Sequence, residues 1–306
     1  MTKVCATDAY RTAEQALLEC HGVKAHSRYV QLSHPRVRVR VLEAGAADGP
    51  PVLLVHGLGN VAASWVPLMA QLEGFRLVAV DRPGNGLSDG FDFRDVDLRH
   101  HGVEMLSSLL DALCVERATI VGSSIGALMA MWLALERPDR VERLVLFAPP
   151  LVLNAGAPLF IRLMGIRFLA RRVFRSPSPA SVDSAFRHMG HPAGALSAEL
   201  TDLLMAAQGF PSFSSGFAGL AAAATSLVSK RVGLTAGEAR RIEPPALVVL
   251  GTNDTHVPRR VAVELASLMP NGSFEVAGAG HLPWLDDAAR CADLVSEFVR
   301  PTAVTA

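Results

Sequence analysis

Cysteine is scarce in this chain: four in 306 residues, at Cys5, Cys20, Cys114 and Cys291. No two form a CxxC and none clusters with histidine, which argues against a zinc ribbon, a redox dithiol or a disulfide framework. Scattered free thiols fit a reducing compartment. A surplus of either charge is also missing, since Lys+Arg and Asp+Glu both number 29. With no net charge and no basic stripe interleaved with aromatics, nothing draws the chain to nucleic acid. Long unbroken apolar runs are absent too. Half of the residues are hydrophobic and the mean hydropathy is +0.29, yet charge cuts every run before it reaches the length of a membrane-spanning helix. The richest segment, Leu159 to Phe174, contains Arg162, Arg167, Arg171 and Arg172. The first ten residues hold Lys3 and Asp8 and no signal-like apolar core. These absences predict a cytoplasmic protein with no membrane span, and a chain of this length can bury a sizeable core.

What is present is a rhythm of short apolar runs and helix-like stretches. Arg28 to Leu42 alternates apolar and charged residues, as a strand with one wet face does. Val52 to Val55, Leu77 to Val80, Thr119 to Val121, Leu144 to Phe147 and Ala246 to Leu250 are short, uncharged and mostly apolar runs, as strands covered on both faces are. Between them lie helical patterns at Leu98 to Leu113, Leu128 to Glu136 and Val261 to Leu268. This alternation predicts an α/β protein with a mostly parallel sheet and helices on both faces. From Leu151 to Arg241 no strand pattern occurs, only helical patterns and turn clusters such as Ser176-Pro177-Ser178-Pro179. The expected organisation is a core of residues 1–150 and 242–306, with 1–27 a helical extension, and an inserted helical cap or lid at 151–241. Such an insertion would roof the carboxyl edge of the sheet, where open α/β sheets bind ligands.

Two segments match G-x-S-x-G: Gly86-Leu87-Ser88-Asp89-Gly90 and Gly122-Ser123-Ser124-Ile125-Gly126. The motif needs a sharp strand-to-helix turn that exposes the serine hydroxyl. Only the second follows a strand pattern, Ala118 to Val121, and leads at once into a helical one, so Ser124 is the candidate nucleophile and Ser88 a loop residue. A serine hydroxyl needs a base, usually a histidine that a carboxylate orients. In this arrangement the order is Ser, Asp or Glu, then His. His281, late in the glycine-rich Gly278-Ala279-Gly280-His281, is the candidate base, and Asp254, just past Ala246 to Leu250, the candidate acid. Asp286 and Asp287 begin the last helix, where an acidic residue has a dipole explanation. His188 and His191 fall in the insertion, where a surface or substrate-lining role is expected. The oxyanion donors should be the backbone N–H groups of Ile125, after the nucleophile, and Leu58, in His56-Gly57-Leu58-Gly59-Asn60. His56, directly at a strand end, reads as a loop-shaping residue.

His56-Gly57-Leu58-Gly59, Asp81-Arg82-Pro83-Gly84-Asn85-Gly86-Leu87-Ser88, the Ser124 segment, Gly251-Thr252-Asn253-Asp254 and Gly280-His281 stand in an order that resembles the α/β-hydrolase superfamily. The resemblance runs from about Val37 to Val299. It implies the α/β-hydrolase fold with an eight-stranded sheet, no metal and no organic cofactor. Haloalkane dehalogenase and epoxide hydrolase relatives carry aspartate where this chain has Ser124, and the latter use cap tyrosines. The only tyrosines here are Tyr10 and Tyr29. The expected activity is hydrolysis of an ester, lactone or related carbonyl compound through an acyl-enzyme. Carbon–carbon bond hydrolases, acyltransferases and cyclases share the layout, and a non-catalytic ligand-binding protein is a further alternative. The expected partner is a small, mainly apolar carbonyl substrate, with homo-oligomerisation open. Phe160, Phe174 and Phe213 are candidate lining residues. The arginines at 162, 167, 171, 172 and 175 form either a solvated face or the source of one cation for an acidic substrate group.

Overall fold

The short apolar runs become the strands of one sheet. The computed structural model describes residues 5–153, 155–225 and 232–300. Its strands are β1 (Ala25–Gln31), β2 (Arg38–Gly45), β3 (Pro51–Val55), β4 (Arg76–Val80), β5 (Ala118–Ser123), β6 (Val141–Phe147), β7 (Ala246–Leu250) and β8 (Gly272–Val276). Across the sheet the order is β1-β2-β4-β3-β5-β6-β7-β8. β2 runs antiparallel to both β1 and β4, and every neighbour pair from β4 to β8 is parallel.

The helices among the described residues are α1 (Ala6–Cys20), α2 (Val66–Met69), α3 (Leu98–Ala112), α4 (Ile125–Glu136), α5 (Leu159–Met164), α6 (Arg167–Val173), α7 (Pro179–His188), α8 (Ala198–Gln208), α9 (Phe213–Thr225), α10 (Ala236–Ala239), α11 (Arg259–Leu268) and α12 (Ala288–Val299). Successive strand side chains point to opposite faces, and the core divides accordingly. Leu53, Val55, Val248 and Leu250 join one cluster with α3, α4 and α11. Val52, Leu54, Leu247 and Val249 join the other with α1, α2, α8 and α12. Both faces are covered, so these strands carry no polar alternation.

Two expectations are corrected. The alternating stretch Arg28 to Leu42 is not one strand but parts of β1 and β2, joined by a turn in which Leu32 N–H donates to Val37 O (2.9 Å). Pro35 lies in that turn and brings no N–H to a ladder. The N-terminal region is helical only through Cys20, because β1 already begins at Ala25. Between β6 and β7 run α5 to α10, and the two ends of this insertion meet in an isolated bridge between Val152 and Leu234.

The passage from β5 to α4 is a sharp turn at the sheet edge. Ser124 sits at φ 52° and ψ −124°, outside the regions that a side chain prefers. The glycines on either side of it lie against backbone. A Cβ on Gly122 would fall 2.6 Å from Ala127 Cα, and one on Gly126 would fall 2.2 Å from Val55 O of β3. Gly126→Ala should therefore force β3 and α4 apart and destabilise the fold by roughly 1–3 kcal/mol. The check is a lower denaturant midpoint at constant slope; an unchanged midpoint would show that this contact yields.

Candidate active site

Loops leaving parallel strands gather at one edge of the sheet, and this edge collects the residues in question. Ser124 follows β5 and is half-buried; Asp254 follows β7; His281 follows β8. His281 Nδ1 lies 2.9 Å from Asp254 Oδ2, with both side chains buried. The other carboxylate oxygen of Asp254 accepts the backbone N–H groups of His256 (2.7 Å) and Val257 (3.0 Å). Burial alone would raise the Asp254 pKa, but the interaction with His281 and these two N–H groups outweigh it and hold the carboxyl below its ordinary range. An anionic Asp254 fixes the proton of His281 on Nδ1, which leaves Nε2 as the unprotonated nitrogen. The His256 ring stands edge-on to His281 at 4.6 Å between centroids. Burial, with the neighbouring His281 ring, pushes the His256 pKa down to about 4, so His256 is neutral at ordinary pH.

The loop after β3 lies directly against the serine. A Cβ on Gly57 would fall 2.9 Å from Ser124 Cβ and 3.7 Å from Ser124 Oγ. Arg82, completely buried, grips this loop from beneath: Nε donates to His56 O (2.9 Å) and Nη2 to Gly57 O (2.8 Å). His56 Nδ1 also reaches Gly57 O (2.8 Å), while Nε2 accepts the Arg82 backbone N–H (3.1 Å). Both nitrogens of His56 are thus engaged, and burial together with Arg82 lowers its pKa far below the ordinary value. His56 shapes the loop. Burial lowers the Arg82 pKa to about 9, which still leaves a cation at neutral pH. In a trans peptide the C=O and the following N–H point in opposite directions. Holding Gly57 O toward Arg82 therefore turns the Leu58 N–H to the other side of the loop. Ile125 is the first residue of α4, and its N–H has no acceptor within the helix. Ser88 is occupied elsewhere: its hydroxyl donates to Asp81 O (2.6 Å) and accepts from Arg40 N–H (2.8 Å).

Phe174 and Phe213 meet edge to face with centroids 5.1 Å apart, and Phe217 joins them at 4.8 Å from Phe174. This aromatic group lies over the loop after β3, since a Cβ on Gly59 would fall 2.8 Å from the Phe217 ring. Sequence reading missed Phe217, although it follows Phe213 by one helical turn. Phe160 takes no part in this group; it is 49 % exposed on α5. Among the described residues no group of three or more His, Cys, Asp or Glu is placed to hold a metal ion, and no helix is long and apolar enough to cross a membrane.

A family model for the alpha/beta hydrolase fold matches residues 50–288. The chain belongs to that family. It is 31% identical over 269 residues to an uncharacterized protein of Mycobacterium tuberculosis (strain ATCC 25618 / H37Rv), covering 84% of this chain and 77% of that one. It is 28% identical over 302 residues to a 2-hydroxy-6-oxononadienedioate/2-hydroxy-6-oxononatrienedioate hydrolase of Burkholderia vietnamiensis (strain G4 / LMG 22486), covering 92% and 98%. The crystal structure of carboxylesterase CesB (YbfK) from Bacillus subtilis superposes with a TM-score of 0.78 at 20% identity, covering 97% and 99%.

In this hydrolase the loop that carries His281 is held by a second histidine–aspartate pair. His191, buried after α7, places Nδ1 2.9 Å from Asp286 Oδ1, and its Nε2 accepts the Leu282 N–H at 3.3 Å. Asp286 Oδ2 accepts the N–H groups of Ala279 (3.0 Å) and Gly280 (2.8 Å). His191 packs so closely on Gly280 that a Cβ there would fall 2.3 Å from the ring. His191 therefore neither lies on the surface nor lines the site, and Asp286 does more than favour a helix dipole. Asp287, by contrast, caps α12 by accepting the Arg290 N–H (3.0 Å). Trp284 closes the loop from below, stacked on Trp65 at 4.0 Å and donating its Nε1–H to Ser64 O (3.0 Å). Burial would raise the Asp286 pKa, but His191 and the two loop N–H groups hold it below the ordinary value. A carboxyl with a depressed folded pKa contributes stability above its unfolded pKa, about 4, and loses it as pH falls through the folded value. Asp286→Ala should raise amide exchange at Ala279 and Gly280 by about 5- to 100-fold at neutral pH. In wild type the same loss of protection should appear only below about pH 4. Unchanged protection in the variant would show that the loop needs no such brace.

Proposed function

We propose that this chain is a serine hydrolase that cleaves an ester, lactone or related carbonyl compound through an acyl-enzyme. The observation that carries the reading is Ser124 itself, held in a strained turn against the Gly57 loop, at the same sheet edge from which the loops of the His281–Asp254 pair leave. In the proposed reaction His281 Nε2 takes the hydroxyl proton as Ser124 Oγ attacks the carbonyl carbon. The oxyanion accepts hydrogen bonds from the Leu58 and Ile125 N–H groups, and the Asp254 carboxylate stabilises the imidazolium. Collapse expels the leaving alcohol, which takes the proton from His281. Water, deprotonated by the same histidine, then attacks the acyl carbon; the acid leaves and Ser124 Oγ regains a proton. Residues 151–241 serve as the cap in this reading, with Phe174, Phe213 and Phe217 as the apolar roof of the acyl site. The exposed thiols of Cys5, Cys20 and Cys114 support a reducing, cytoplasmic setting.

A second reading, carbon–carbon bond hydrolysis, is favoured by the likeness to the dienedioate hydrolase over 302 residues. A 6-oxo compound is a ketone, and its hydrolysis must break a bond between carbons. The exposure of the arginines of α5 and α6 supports a neutral apolar substrate over a dianion in the first reading.

Ser124→Ala should abolish turnover and fluorophosphonate labelling, and His281→Ala should lower kcat to a comparable degree because the two act as a unit. Ser88→Ala should label like wild type. Labelling that survives Ser124→Ala overturns the assignment. Arg82→Met, which frees the Gly57–Leu58 peptide, should lower kcat by about 10²-fold with little change in KM, as loss of an oxyanion donor does. Specificity constants for acetate to decanoate esters, beside a vinylogous diketone, separate the two readings. Phe174→Ala and Phe213→Ala should shift the chain-length preference by about 10- to 200-fold per methylene-sized change. A flat profile in all variants would show that these rings do not roof the site.

A further inference from the structure

Six of the large hydrophobic residues that this chain exposes lie within fifteen residues: Leu159, Phe160, Leu163, Ile166, Phe168 and Val173. They occupy α5, α6 and the bend between them, with Phe168 74 % and Leu159 68 % exposed. These helices do not need such residues for their own packing. They bury Met164 and Ala170 against Ala218 of α9, with Leu169, Phe174 and Phe217 alongside. The outward apolar set is additional to that seam, and clusters of this kind mark contact with something other than water.

Charge names the contact. Arg162, Arg167, Arg171, Arg172 and Arg175 lie on the same stretch and are exposed, and no acidic residue occurs between Glu142 and Asp183. None of the five forms an ion pair among the described residues, and Asp92, already paired with Arg94, lies within electrostatic reach of Arg167. A second copy of the chain is a poor occupant, because a two-fold contact would set five arginines against five with no acid on either stretch to compensate. A folded protein partner must supply pockets for protruding side chains. A fluid lipid surface takes them without shape complementarity, and anionic head groups attract the interleaved arginines. We infer that α5 and α6 form a docking surface for an anionic lipid bilayer, with the phenylalanine, leucine and isoleucine side chains entering the interface and the arginines at head-group level. Such docking is peripheral and needs no spanning helix. It is independent of what Ser124 hydrolyses, so it stands or falls separately from the reaction assigned above.

The test is flotation of the full chain with phosphatidylcholine vesicles, with and without about a third phosphatidylglycerol, over a salt series. Wild type should bind the anionic vesicles at low salt and be released as salt rises, and should leave the neutral ones largely unbound. Arg171→Glu with Arg172→Glu should weaken partition by more than about 25-fold, at roughly fivefold for each positive charge lost. Ile166→Ser with Phe168→Ser should weaken it by at least tenfold even at low salt. All four positions are exposed, and unchanged thermal unfolding would show that the folds are intact. Equal binding of wild type to both vesicle types, or binding that survives both double variants, overturns the inference. So does a concentration-dependent dimer abolished by Phe168→Ser, or retention on polyglutamate without vesicle binding.

Discussion

A serine at φ 52° and ψ −124° occupies backbone space that a free chain leaves, at a cost of about 1–3 kcal/mol. Its neighbours remove every alternative. The Ser124 N–H donates to Phe147 O of β6 (2.9 Å), which ties the turn to the adjacent strand. Gly126 rests on Val55 O of β3, and Gly57 rests on Ser124 itself. The strained residue is therefore clamped by the two strands that flank β5 and by the helix that follows it. The same contacts set where the loop after β3 lies. Everything proposed for the site inherits its geometry from this close approach, and the packing on both sheet faces offsets the strain.

Two buried ionic devices then orient groups that do not themselves react. Arg82 is a cation with no carboxylate bonded to it among the described residues; Nε and Nη2 donate to the carbonyls of His56 and Gly57, while Nη1 is buried without a partner. Burying a charge in this way is expensive, and what it achieves is a fixed orientation of the Gly57–Leu58 peptide. His191 and Asp286 do the corresponding work for the His281 loop, gripping the backbone of residues 279, 280 and 282. Substituting members of either device should change the precision of the site more than its composition.

What the sequence made legible was local. The Ser124 turn, the glycines around it and the apolar strands are written in contiguous residues whose patterns have direct physical causes. The adjacency of His281 and Asp254 was legible because both follow strands whose order in the chain matches their order in the sheet. The brace between His191 and Asp286 was not, because the partners stand 95 positions apart and neither carries a pattern that points to the other. Arg82 was hidden for a different reason. In sequence it is one arginine among many, and only the folded chain shows that it is wholly buried. Exposure was equally invisible on α5 and α6, where periodicity suggests an amphipathic helix but not that apolar side chains remain outside.

These contacts also divide the insertion into a fixed end and a free end. At the fixed end the stretch after α7 is bolted to both loops that flank the His281–Asp254 pair. The His281 N–H donates to Met189 O (2.9 Å), and Thr255 Oγ1 donates to His188 O (2.6 Å). Raising that end would break these bonds together with the His191–Asp286 pair, and would loosen the loops that carry His281 and Asp254. At the other end α5 and α6 pack on α9 and on each other, with no described hydrogen bond to the sheet. The α5–α6 stretch is thus tied to the chain through the α9 seam rather than through the loops that carry His281 and Asp254. That stretch also carries the exposed apolar and basic residues, so a surface that engages α5 and α6 would act away from the bonds that hold the His281 loop.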